Sequence, residues 1–73
     1  MSEVFTVDAR GLSCPEPVIL TKQAMKNKDV NRIDVLVDSG ASRDNVVRAA
    51  ERAGWTVQTE ELPGFEFRLK MSR

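Results

Sequence analysis

Seventy-three residues leave room for one small hydrophobic core, so a single domain over 1–73 is expected. A composition of 41% apolar and 30% charged residues is that of an ordinary globular protein. The balance of 11 basic against 11 acidic side chains builds no strong positive field, so direct nucleic-acid binding is not expected. No apolar run approaches the ~20 residues of a membrane span, and Met1-Ser2-Glu3 leads into a strand pattern rather than a signal peptide.

Residues 4–8 alternate, with Phe5 and Val7 on one face and Thr6 and Asp8 on the other, and predict a half-buried strand. Asp8-Ala9-Arg10-Gly11-Leu12 then leads to a helix start. Ser13 and Glu16 have the spacing of a capping box, which makes Ser13 the N-cap and Cys14 the first helical residue. A rival register makes Cys14 the N-cap and Pro15 the first helical residue, with Pro17 where a missing amide costs no intrahelical bond. The helix runs to about Asn27 with a stripe of Val18, Thr21 and Met25 beside Leu20 and Ala24.

After the polar connector Lys26-Asn27-Lys28-Asp29, residues 32–37 alternate Ile33, Val35 and Val37 against Asp34 and Leu36, a second strand. Ser39 and Ser42 offer caps for a helix over about 43–53, with Val46, Val47, Ala50 and Ala53 towards the core and Arg43, Arg48, Glu51 and Arg52 outward. Gly54 suits the left-handed residue that ends a helix. A third strand is expected over 55–61 with Trp55, Val57 and Thr59 in register. Leu62-Pro63-Gly64-Phe65 has the proline and glycine of a type II turn, and a fourth strand alternates Phe65, Phe67, Leu69 and Met71 with charged residues. The order β-α-β-α-β-β predicts a two-layer α/β sandwich: a mixed four-stranded sheet with both helices on one face. The first two strands are parallel through a right-handed crossover and the last two form a hairpin.

Cys14 is the only cysteine, in a chain without histidine or tyrosine, so chemistry near neutral pH falls to it. Both cap registers place it at the positive end of a helix, a setting that lowers a thiol's pKa from roughly 8.5 and favours the nucleophilic thiolate. The bland alternative is a small buried apolar residue. With no second cysteine there is no internal disulfide and no resolving thiol, which disfavours a dithiol oxidoreductase and points to a reducing, cytoplasmic setting. No spacing of His, Cys, Asp or Glu suggests a metal site, and no cofactor is expected.

The run Asp8-Ala9-Arg10-Gly11-Leu12-Ser13-Cys14-Pro15-Glu16-Pro17 closely resembles the TusA/SirA-like sulfur-carrier family, whose signature is Cys-Pro-x-Pro after an Asp-x-Arg-Gly approach. The resemblance continues through Val18-Ile19-Leu20-Thr21-Lys22, Val35-Leu36-Val37-Asp38 and the segment from Asn45 to Gly54. Thr21-Lys22-Gln23-Ala24-Met25 and Asp44-Asn45-Val46 look most like the YedF branch, associated with sulfur or selenium metabolism. The resemblance implies that Cys14 carries sulfane sulfur as a persulfide, received from a donor such as a cysteine desulfurase and passed to an acceptor protein. It also implies that Pro15 and Pro17 shape the first turn, and that Asp8, Arg10 and Gly11 set the loop before it.

From the residues themselves, Asp8 suits loop hydrogen bonding better than proton transfer. Arg10 is either a solvated charge, a partner for the sulfur or an orienting contact for another protein. Lys22, with Lys26 and Lys28, forms either a solvated helix face or a docking surface whose binding would be sensitive to salt. A chain this small has little concave volume for a substrate, and a monomer is expected. The leading reading is a relay rather than a self-contained enzyme. The alternatives are a non-catalytic regulatory or protein-interaction module and a selenium-handling relative.

Overall fold

The alternation of residues 32–37 and 67–71 builds the centre of the fold. In the computed structural model, residues 4–12 and 15–73 are described. They form β1 (Val4–Asp8), α1 (Glu16–Met25), β2 (Arg32–Val37), α2 (Gly40–Arg52), β3 (Thr56–Leu62) and β4 (Glu66–Ser72). The sheet order is β1-β2-β4-β3. β1 pairs parallel with β2, and β4 pairs antiparallel with β2 and β3. Ile33, Val35 and Val37 from β2 and Leu69 and Met71 from β4 turn inward and are buried. Arg32, Arg68 and Lys70 alternate with them, as a sheet with one covered face requires.

The covering layer is the helix pair. α1 packs on β1 and β2, α2 on β4 and β3, and the helices pack on each other. Pro17, Thr21 and Ala24 are buried on α1, and Ser42, Val46 and Ala50 on α2. The buried face of α1 is thus centred on Pro17, Thr21 and Ala24, with the expected Val18 and Met25 at its flank. The Thr21 hydroxyl donates to the Pro17 carbonyl oxygen at 2.8 Å, so its burial leaves no unsatisfied polar group. Among the described residues, no helix is long and apolar enough to cross a membrane.

Several local expectations are corrected. α1 ends at Met25, with Lys26 as C-cap. α2 begins at Gly40 rather than near residue 43, because Ser39 is the cap: its Oγ accepts from the Ser42 amide at 3.1 Å. Ala53 is exposed as the C-cap, not buried in the core. Gly54 does take the left-handed conformation, φ 87°, and its amide donates to the Glu51 carbonyl while the Trp55 amide donates to that of Ala50. This double closure is a Schellman motif, and it tucks Trp55 into the core just before β3. Thr59 is exposed because β3 is an edge strand.

The expected β4 alternation fails at its first residue. Phe65 lies in the β3–β4 connection with φ 62° and is 89% exposed, so it packs against neither the core nor the hairpin. Gly64, with φ 81°, provides the left-handed residue a type II turn needs. Phe65 follows it into the same region.

Candidate functional site: an anchored loop before a proline-framed helix start

The loop from β1 towards the thiol is held by its own side chains and by two distant strand ends. The Ala9 amide donates to the Leu36 carbonyl at 2.8 Å, extending the β1–β2 pairing by one residue and burying Ala9. Arg10 then grips Asp8 through two parallel contacts, Nε to Oδ1 and Nη2 to Oδ2, both 2.9 Å. The Arg10 backbone amide donates to the same Oδ1 at 3.1 Å. Its remaining nitrogen, Nη1, reaches Glu66 Oε1 at 3.1 Å, tying the loop to the start of β4. The Gly11 amide donates to Asp38 Oδ2 at 2.8 Å, just beyond the end of β2. Gly11 has φ 77°, a conformation that a residue with a Cβ adopts only with strain.

Through these contacts Asp8 and Arg10 hold each other. Hydrogen bonding from the Arg10 side chain, then from its backbone amide, holds the Asp8 carboxyl at about 2, below its ordinary 3.8. The contacts with Asp8 and then Glu66 push the guanidinium of Arg10 further up, so it stays charged. A carboxyl with a depressed folded-state pKa stabilises the fold above its unfolded value and loses that contribution as pH falls through the folded one. The stability of the wild type is therefore expected to drop more between pH 3.8 and about 2 than that of Asp8→Asn. Urea denaturation across that range checks this, and parallel pH profiles would refute it.

Ser13 and Cys14 lie outside the described residues. The helix that follows does correct both cap registers. Pro15 is the N-cap of α1, Glu16 the first helical residue and Pro17 the second. Glu16 therefore sits two positions earlier in the helix than the capping box required, and among the described residues no side chain caps this end. Pro15 turns the chain with φ −99° and ψ 15°, and its carbonyl accepts the first intrahelical bond, from Ile19 at 3.1 Å. Neither proline has an amide hydrogen, so the first turn retains only the N–H groups of Glu16 and Val18. Pro17 is buried while Pro15 and Glu16 are exposed.

Lys22 and Lys26 line one groove, but Lys28 does not. The groove lies between α1 and α2, encloses about 620 Å³, and runs from Pro15 to Trp55 and Arg73. Arg48 and Arg52, expected on the outer face of α2, join the lysines there, and among the described residues no carboxylate lines the groove. Arg73 closes one end: its guanidinium stacks 4.7 Å from the centre of the Trp55 ring and donates to the carbonyls of Asn27 and Val30 at 3.1 and 2.9 Å.

Asp38, Glu66, Arg48 and Arg52 are the contributors missed from sequence. Asp38 stood inside a quoted motif, directly after a strand, a place where a carboxylate often holds a loop. Nothing local marked Glu66, whose link to Arg10 spans 56 residues.

The fold and this loop define a two-layer α/β protein organised around one cysteine-bearing connection. Residues 5–73 match the family described as "Sulfurtransferase TusA", and the chain belongs to that family. It is 31% identical over 68 residues to a Methanocaldococcus jannaschii protein described as a "Putative sulfur carrier protein", covering 92% of this chain and 91% of that one. Among solved structures, it is similar to the SirA-like protein from Desulfitobacterium hafniense, with a TM-score of 0.86, 30% identity and 96% of each chain covered.

Proposed function

We propose that the protein is a cytoplasmic sulfur carrier in which Cys14 accepts sulfane sulfur as a persulfide and passes it to a second protein. The observation that carries this reading is the anchored loop. Arg10 and Gly11 are held by Asp8, Glu66 and Asp38 on one side of the thiol in the chain, and Pro15 caps α1 on the other. Membership of the sulfurtransferase family supports the same conclusion.

The chemistry needs nothing beyond the thiol and a partner. The Cys14 thiolate attacks the outer sulfur of a donor persulfide, a new S–S bond forms, the donor's S–S bond breaks, and the donor leaves as a thiolate. One sulfur moves with no net oxidation, and discharge to an acceptor repeats the exchange with the roles reversed. Rate follows the thiolate fraction and the leaving thiol's pKa, so a helix N-terminus following the thiol favours the reactive form.

The test is mass spectrometry after incubation with a cysteine desulfurase and cysteine. One added sulfur on the Cys14 peptide is expected, and absence of it under conditions that load an established carrier would sink the proposal. The same assay tests docking. A groove lined by cations suits an acidic partner surface, so loading is expected to slow as salt rises. Arg48→Glu should slow loading and flatten that dependence, whereas Lys28→Glu, outside the groove, should do neither. Equal salt curves for all three proteins would remove the groove from the docking surface.

A further inference from the structure

Phe65 is exposed to 89% at the tip of the β3–β4 hairpin, and its backbone lies at φ 62°. A large aromatic side chain in the left-handed region is an outlier with a conformational cost, and exposure returns little of it through packing. The next residue, Glu66, receives Arg10 Nη1 at 3.1 Å, so the tip is tied to the loop that leads to Cys14. Three residues lie between Arg10 and Cys14, and these four steps of chain reach at most about 14 Å. Glu61 and Glu66 line the tip with Leu62 and Phe67; Glu66 is paired with Arg10 and Arg43 stacks 4.7 Å from the Phe67 ring centre, so the acidic flank of the apolar centre is Glu61, opposite in sign to the helix groove.

We propose that Phe65 is a docking anchor for the proteins that exchange sulfur with Cys14, inserting into an apolar pocket with a basic rim beside the partner's own sulfur site. The inference rests on the carrier reading above. Any protein, donor or acceptor, must bring its sulfur to the same thiol and so meets the same rim, which makes one protein donor a sufficient probe. Small persulfides reach the thiol without using the tip. An exposed aromatic inserted into a pocket is the kind of residue that dominates an interface energetically.

The experiment compares wild type with Phe65→Gly, Phe65→Asn and Phe65→Tyr, loading each from a cysteine desulfurase with cysteine and, separately, from inorganic polysulfide. Glycine and asparagine tolerate the left-handed backbone, so both variants are expected to unfold at or above the wild-type temperature. Loading from the desulfurase should fall about tenfold in kcat/KM, through KM, as expected for a lost anchor worth a factor of ten. Phe65→Tyr should restore it, and polysulfide loading should be equal in all four chains. Desulfurase loading unchanged in Phe65→Gly overturns the anchor and leaves the carrier reading intact. Failure of every chain to load from either source overturns the carrier reading itself.

Discussion

Cys14→Ser is expected to abolish sulfur loading from both protein and inorganic donors while leaving the far-ultraviolet circular dichroism unchanged. The substitution exchanges one atom and adds neither charge nor branching. A serine hydroxyl is not ionised at neutral pH and needs an adjacent base to act as a nucleophile, and the sequence contains no histidine to serve as one. No second thiol can take over. The outcome separates chemistry from scaffolding: a variant that binds its partner with unchanged affinity and carries no sulfur is a relay with its link removed. If Cys14→Ser sustained the cellular function, the protein would be a binding module and its thiol incidental.

The largest effect on stability is expected at Leu69. This residue is fully buried at the middle of β4, the strand paired on both sides, opposite Val35 of β2 and Thr59 of β3. Truncating a buried leucine to alanine costs about 2–5 kcal/mol through lost transfer energy and the cavity left behind. At typical values per residue, a chain of this length is stabilised by about 4–11 kcal/mol in total. Leu69→Ala should therefore lower the urea midpoint severely or leave the chain partly unfolded. Ile19→Ala, at a position 46% exposed on α1, should stay close to wild type. Equal midpoints for the two variants would show that β4 is not the centre of the core.

The contrast between these two positions also shows what the sequence could reveal. Strict alternation at Ile33, Val35 and Val37 placed β2 at its observed bounds, because period-two burial is written in neighbouring residues. Gly54 marked the end of α2 for an equally local reason, since only a left-handed residue closes that motif. Helix starts were harder. Ser13-x-x-Glu16 and Ser39-x-x-Ser42 both offered caps, and the prolines, which remove amides, moved the first start to Glu16. Phe65 continued an apolar alternation, and turn geometry overrode it. Asp38 and Glu66 became site residues only through the order β1-β2-β4, which brings three strand ends together and which no local pattern contains.

The amides around the thiol have a consequence for ligand selectivity. Phosphate-binding loops work by leaving several successive backbone N–H groups pointing at solvent. Here Ala9, Arg10 and Gly11 each donate to an internal oxygen, on Leu36, Asp8 and Asp38. Two of the first three positions of α1, counting its cap, are prolines with no hydrogen to donate. Among the described residues, the connection is thus poor in donors, unlike the loops that bind nucleotides. Cellular phosphates gain little by settling there. Scarcity of hydrogen-bond donors among the described residues sets this connection apart from anion-binding loops, and would leave it open for the sulfur proposed to travel on Cys14.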